Sequence, residues 1–110
     1  MIKTKDRKII LEFKDKLSKD VLIHLRKIIV FGSRARGEEQ KDSDLDVAIL
    51  VDRKKYSLEK KMEDSAYQVM WDHDFKPIIS LKIFTEKQFN KALKQGFSFY
   101  KHVSNDGICL

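Results

Sequence analysis

The segment FGSRARG at residues 31–37, followed by SDLDVAILV at residues 43–51, decides how this chain folds. The apolar run KIIVF at residues 27–31 leads directly into the pair Gly32-Ser33, and ten residues separate that pair from the two aspartates of Asp44-Leu45-Asp46. A short apolar run that ends at a glycine is typical of a buried strand followed by a tight turn. The segment therefore predicts two strands whose ends carry polar side chains.

The second of these strands predicts a cation site. Residues 44–51 are β-branched and apolar apart from their two aspartates, so we expect a strand. Side chains alternate along a strand, so Asp44 and Asp46 point to one side with their α-carbons roughly 6.6 Å apart. Two carboxylates this close repel each other unless a cation lies between them. Mg²⁺ prefers such oxygen ligands together with substrate phosphates, which indicates phosphoryl or nucleotidyl transfer chemistry.

The first strand predicts a phosphate site beside the aspartates. Gly32 allows a phosphate to approach the backbone closely, and Ser33 adds a hydroxyl where a short helical turn begins. Arg34 and Arg36 add cationic donors to the same turn. These four residues are the candidate phosphate ligands.

The two motifs together resemble those of the DNA polymerase β-like nucleotidyltransferases. Gly32-Ser33, ten residues and then Asp44-x-Asp46 is the signature of that superfamily, and the fuller FGSRARG…SDxD pattern is similar to its smallest branch, the minimal nucleotidyltransferases. The resemblance implies that Asp44 and Asp46 are catalytic metal ligands. It also implies that the turn and Ser43 bind a nucleotide, with Mg²⁺ as cofactor and ATP or another NTP as substrate. Many minimal nucleotidyltransferases act as antitoxins beside a HEPN-domain toxin, so the resemblance implies such a protein partner.

Composition is consistent with one small domain spanning residues 1–110. The chain is 42% hydrophobic and 36% charged with a net charge of +6, and residues 1–36 contain 11 basic and 4 acidic residues. Basic flanks around an acidic centre favour a polyanionic ligand such as an NTP. The single cysteine, Cys109, excludes an intrachain disulfide, and no apolar stretch is long enough to cross a membrane. We therefore expect a cytoplasmic protein; its state as a homo- or hetero-oligomer stays open.

Periodicity predicts an α/β fold with a small mixed sheet of three or four strands and helices packed mainly on one face. A helix is expected after Thr85, because Thr85 begins a capping box, and Gly96 ends that helix. Another helix is expected near the C-terminus. Thr4 and Ser57 are expected N-caps of the two long helices. The predicted helices are 4–24, 57–72 and 97–104, and the predicted strands are 26–31, 44–51 and 78–84.

The third predicted strand lacks an expected acid. The resemblance implies a third carboxylate on residues 78–84, which would share a face with Asp44 and Asp46. Strand alternation predicts that Ile79, Leu81 and Ile83 face the core, so the opposite face presents Ser80 and Lys82 and no acid. Asp72, Asp74 or Glu86 would have to substitute from the strand ends. The absence leaves two-metal catalysis open.

Three functions therefore compete. The first is an enzyme that transfers a nucleotide to a hydroxyl, for which the resemblance implies a tyrosine of the partner toxin. The second is a binding module that neutralises its partner without catalysis. Direct nucleic-acid binding is disfavoured, because no interleaved aromatic and basic pattern and no zinc-ligand spacing occur. Phe97, Phe99 and Tyr100 are candidate partner contacts or sheet-packing residues, whereas Tyr67 and Trp71 are predicted to pack in the core or at its rim.

Overall fold

A computed structural model describes residues 1–38 and 43–110, so most of the charged loop predicted at 38–42, including Asp42, lies outside the described residues. Short helices and strands alternate along the chain. In chain order they are α1 (Thr4–Asp15), α2 (Lys19–Leu22), β1 (Leu25–Phe31), a 3₁₀ helix (Ser33–Arg36), β2 (Leu45–Val51), α3 (Tyr56–Asp72), β3 (Ile79–Thr85), α4 (Glu86–Lys94), α5 (Ser98–Asp106) and β4 (Ile108–Cys109).

The strands form one mixed sheet in the order β3-β2-β1-β4. β1 is antiparallel to both β2 and β4, whereas β2 and β3 are parallel. The C-terminal segment Ile108–Cys109 thus adds a short fourth strand beside Ile29 and Val30. The α/β class and the mixed sheet predicted from the sequence are confirmed.

The two faces of the sheet are covered by different helices. One face packs against α1, α2 and α3 and contains the larger cluster of buried side chains, including Val47 and Ile49 of β2. The other face, which carries Ala48 and Leu50, packs against Phe89 of α4 and Val103 of α5. Asp46 shares the parity of Ala48 and Leu50, so its side chain belongs to the α4–α5 face. Within residues 1–38 and 43–110, α1, α2 and α3 lie on the face that Asp46 does not share.

The long N-terminal helix predicted over residues 4–24 is interrupted. α1 ends at Asp15, and Ser18 has an extended backbone (φ −72°, ψ 164°) before α2 begins. The Ser18 hydroxyl donates to the Asp20 carboxylate, which is a local hydrogen bond that competes with helical geometry. The apolar stripe nevertheless continues across the break, because both helices bury their inner side chains in the same core. The apolar periodicity therefore persists where the helix does not.

Helix starts were predicted with mixed success. The backbone N–H of Gln88 donates to the Thr85 hydroxyl at 3.0 Å, so the predicted N-cap of α4 is confirmed. Thr4 and Ser57 are wrong as N-caps, since Lys3 and Lys55 occupy those positions without a side-chain cap. The helices they begin are held by burial of their inner faces, which outweighs a missing cap.

Aromatic residues occupy two separate places. Phe99 and Tyr100 of α5 contact Phe84 with ring centroids 6.1 and 5.6 Å away, so these two pack on the sheet, whereas Phe97 is 57% exposed. Tyr67 and Trp71 are 55% and 66% exposed, which corrects the prediction that they pack in or around the core.

No helix in the described part of the chain has the length and apolar character needed to cross a bilayer.

Candidate active site

Asp46 lies in a row of three residues that crosses the sheet. It is paired with Phe31 at the end of β1 and with Ser80 near the start of β3. Asp46 is half-buried and Asp44, just before β2, is exposed. Burial raises the pKa of the Asp46 carboxyl, and the negative charge of Asp44 raises this pKa further, while Lys82 lowers it. The two aspartates therefore act on each other electrostatically, as strand alternation predicted.

The turn after β1 contacts Asp46 directly. Gly32 has φ 78° and ψ −165°, which is a conformation that side-chain-bearing residues rarely adopt. A β-carbon added to Gly32 would lie 2.7 Å from Oδ2 of Asp46, which is inside van der Waals contact. The glycine–serine turn and the second aspartate are thus adjacent, and glycine is required there both by the backbone angle and by the neighbouring carboxylate.

The rest of the turn is held by short-range hydrogen bonds. The backbone N–H of Ala35 donates to the Gly32 carbonyl at 3.2 Å, and that of Glu38 donates to the Ser33 carbonyl at 2.9 Å. Gly37 ends the 3₁₀ helix in the left-handed conformation (φ 75°). The N-terminal ammonium of Met1 donates to the Arg36 carbonyl at 3.0 Å. The half-buried Ser33 therefore lies at the start of a fixed turn beside Asp46.

Arg34 lies between α1 and the backbone that precedes the aspartate pair. Its side chain is buried, and Nη1 donates to both carboxylate oxygens of Asp6, at 3.0 and 3.2 Å. Nε donates to the Ser43 carbonyl at 2.9 Å. The guanidinium thus joins α1, the turn and the backbone immediately before Asp44. Arg34 therefore holds the two motifs together, and its binding of a nucleotide stays a prediction.

Arg36 and Ser43 lie on either side of this arrangement. The Arg36 side chain is 45% exposed, and its Nε donates to Oε2 of Glu38 at 3.1 Å. Ser43 is half-buried, and its carbonyl is the acceptor for Arg34. Arg36 therefore remains the arginine of the turn whose charge is accessible from solvent, and nucleotide binding by Arg36 and Ser43 stays a prediction.

β3 presents a serine and a lysine beside the aspartates. Ser80 is opposite Asp46 and Lys82 is opposite Ala48, while Ile79, Leu81 and Ile83 pack against the larger core cluster as predicted. No group of three His, Cys, Asp or Glu residues suited to a metal ion occurs within residues 1–38 and 43–110. In that part of the chain, a third acid is not brought to Asp44 and Asp46.

Two of the three acids considered as substitutes, Asp72 and Glu86, lie elsewhere. Asp72 forms an ion pair with Lys16 of the α1–α2 connection at 3.4 Å, on the face of the sheet opposite Asp46. Glu86 follows β3 and is six residues beyond Ser80, which is roughly 20 Å along the strand direction. Neither residue can complete the aspartate pair without a large rearrangement.

The donor set fits a hard divalent cation. Asp44 and Asp46 offer carboxylate oxygens, and the raised pKa of Asp46 shows that its negative charge is not fully compensated by the surrounding protein. A cation bound there would relieve both the burial of Asp46 and its repulsion from Asp44. Carboxylate pairs that leave room for waters and phosphates are the usual environment of Mg²⁺, so the residues present fit this ion.

Comparison with known proteins agrees with this geometry. The family model described as "Nucleotidyltransferase domain" matches residues 7–102, and the chain belongs to that family. Among individual proteins, a Methanocaldococcus jannaschii protein described as "Putative protein adenylyltransferase" is 35% identical over 104 residues. This alignment covers 91% of the present chain and 93% of the archaeal protein. The turn, both aspartates and all of the α/β sheet except its last strand lie inside the matched family region.

Proposed function

We propose that this nucleotidyltransferase is a Mg²⁺-dependent protein adenylyltransferase that transfers AMP from ATP to a hydroxyl of a partner protein. The observation that carries the proposal is the contact between the Gly32 turn and Asp46, which brings a phosphate-binding type of turn against a carboxylate pair. The match to the nucleotidyltransferase domain family and the description of the archaeal relative support the reaction class.

Different residues of the site would bind the phosphates and the metal ion. Gly32 leaves space for the β- and γ-phosphates, and the Ser33 hydroxyl can donate to them. Asp44 and Asp46 would hold Mg²⁺, which when bound neutralises phosphate charge and orients the triphosphate. Arg36 adds an accessible positive charge near the phosphates, while Arg34 holds the turn and Ser43 in register. Catalysis then depends mainly on positioning and electrostatics.

The reaction is a displacement at the α-phosphorus of ATP. The acceptor oxygen forms a bond to the α-phosphorus, and the bond from that phosphorus to the oxygen bridging to the β-phosphate breaks. Pyrophosphate leaves, and the hydroxyl proton passes to water. Asp44 and Asp46 would hold the cation that offsets charge developing on the leaving group.

The proposed acceptor is a tyrosine of a HEPN-domain toxin, with this chain as its antitoxin. The resemblance of the FGSRARG…SDxD pattern to minimal nucleotidyltransferases supports this choice, as does the description of the relative as acting on a protein. The exposed Phe97 near the start of α5 is a candidate contact for such a partner.

Label transfer tests the proposal. The chain is co-purified with the HEPN protein encoded beside its gene and incubated with Mg²⁺ and ATP labelled at the α-phosphate. We expect label on the partner with the wild-type chain, and a loss of at least 100-fold with Asp44→Asn plus Asp46→Asn. Asp64→Asn, which removes an exposed carboxylate of α3, is the matched control and should transfer normally. Undiminished transfer by the double variant would refute the assignment.

A second candidate is an antitoxin that acts by binding alone. It is favoured by one observation, which is that β3 brings Ser80 and Lys82 rather than an acid to the aspartate pair. Toxicity assays separate the two candidates: under the enzymatic proposal the double variant fails to neutralise the toxin although it still binds it. Full neutralisation by the double variant would favour the binding-only function.

A further inference from the structure

Lys82 is a positive charge on the same face of the sheet as the aspartate pair. β3 runs parallel to β2, with Ser80 opposite Asp46 and Lys82 opposite Ala48. Residues 80 and 82 share a face, and their partners Asp46 and Ala48 share it too. The α-carbons of Lys82 and Asp46 are therefore roughly 8 Å apart, a gap that a four-carbon lysine side chain largely spans.

Beyond Lys82 along β3, aromatic side chains occupy the same face of the sheet. Its neighbour two residues further along the strand, Phe84, is packed against Phe89, Phe99 and Tyr100, so that direction is filled by aromatic rings. On the other side are the small Ser80 and the carboxylate of Asp46. The Lys82 side chain is exposed, and its charge favours the ionised form of Asp46. Among the described residues no carboxylate lies close enough to form a direct ion pair with Lys82.

We propose that Lys82 is a nucleotide-binding residue, whose ammonium group contacts the phosphates of ATP and adds a positive charge to those of Arg36 and a single Mg²⁺ ion. The inference rests on the proposed nucleotidyltransferase function and deepens it. An NTP brings about four negative charges into a cleft that already holds two carboxylates, so one divalent ion leaves an excess of negative charge. A lysine ammonium is a compact point charge suited to phosphate oxygens.

The donor set of the described chain supports one ion rather than two. Two-metal sites need carboxylates that hold ions about 4 Å apart. In the described residues the aspartate pair has no third His, Cys, Asp or Glu beside it, and the position opposite Asp46 is Ser80. Lys82, which is two residues beyond Ser80 on the same face of β3, carries a positive charge instead.

The test of this proposal is that Lys82→Met should weaken the binding of MgATP and strengthen the binding of Mn²⁺ alone. In Lys82→Met, loss of the ammonium should weaken MgATP binding, measured by calorimetry, by roughly ten- to hundredfold. The same variant should bind Mn²⁺ alone, measured by electron paramagnetic resonance, about three- to tenfold more tightly, because a repelling charge has gone. Lys82→Arg should keep both affinities within about threefold of wild type. Lys8→Met, which removes an exposed charge from α1, is the matched control and should change neither.

The results that overturn the proposal are distinct from those that overturn the proposed function. If Lys82→Met changes both affinities less than twofold, or weakens both together, Lys82 does not have this role. Two Mn²⁺ ions bound per wild-type chain with similar affinity would also contradict it. If Asp46→Asn leaves Mn²⁺ and MgATP affinities unchanged, the proposed function itself fails, and the inference about Lys82 fails with it. Because Lys82 is exposed, its substitution should leave the circular dichroism spectrum and the unfolding temperature close to wild type.

Discussion

Gly32 and Asp46 are in direct contact: a β-carbon on Gly32 would lie 2.7 Å from Oδ2 of the Asp46 carboxylate. The two residues end one strand and begin its neighbour, and 14 positions of sequence separate them. This contact connects the phosphate-binding turn with the aspartate pair, and the proposed chemistry depends on it.

Gly32→Ala should therefore damage the site beyond its effect on stability. The backbone at Gly32, with φ 78° and ψ −165°, lies in a region that only glycine adopts readily, so an alanine there costs about 1–3 kcal/mol of folding free energy. The new methyl group would also displace the Asp46 carboxylate. We expect label transfer to fall at least tenfold. Gly96→Ala is a matched control, because Gly96 has φ 81° and its β-carbon would meet only the end of Lys101, at 3.9 Å. Denaturation should show a smaller loss of stability for Gly96→Ala than for Gly32→Ala, and equal label transfer by both variants would contradict the role of the contact between Gly32 and Asp46.

Asp46→Asn should stabilise the metal-free protein. The pKa of Asp46 is raised by burial and by Asp44, so its ionised form costs folding free energy at neutral pH. In EDTA the variant should unfold roughly 2–5 °C higher than wild type at pH 7. Because the folded-state pKa lies above the unfolded one, the advantage should shrink as the pH falls through the folded pKa and Asp46 takes up a proton. An unfolding temperature unchanged or lowered at pH 7 would show that no such cost exists.

The two arginines of the turn should have different roles, with Arg34 stabilising the fold and Arg36 binding the ligand. Arg34→Met leaves the buried Asp6 carboxylate, which is 2% exposed, without its partner and should cost about 3–5 kcal/mol. Arg36→Met breaks only an exposed pair with Glu38 and should cost at most about 1 kcal/mol.

A double substitution checks the reason for this difference. Arg34→Met with Asp6→Leu should be more stable than Arg34→Met alone in urea denaturation, because no unpaired buried charge remains. Arg36→Met should instead weaken MgATP binding while the fold is kept. If Arg34→Met folded as stably as Arg36→Met, the buried pair would not be holding the turn.

The aromatic residues at the start of α5 should likewise have separate roles. Phe99 contacts Phe31 and Phe84 with ring centroids 5.7 and 6.1 Å away, so Phe99→Ala should destabilise the chain by about 2–4 kcal/mol. Phe97 is 57% exposed, and Phe97→Ala should change stability by less than about 1 kcal/mol while weakening binding of the proposed toxin partner. Pull-down with the purified partner measures this; unchanged binding would exclude Phe97 from the interface.

Much of this architecture follows from sequence because its signals are local. The apolar runs before Gly32 and after Asp44, and the alternation on residues 78–84, correctly predict which side chains share a face. The break at Ser18 was missed, because apolar periodicity continues through it. The partner of Arg34 was missed for a different reason. Asp6 is 28 positions away on α1, and nothing in its local pattern distinguishes it from an ordinary acid of a first helical turn.

A crystal structure with Mg²⁺ and a non-hydrolysable ATP analogue tests the central claim most directly. We expect the triphosphate between Gly32-Ser33 and the aspartate pair, with the metal ion bound by Asp44 and Asp46. A nucleotide bound on the opposite face of the sheet, or a metal ion that neither aspartate contacts, would contradict it.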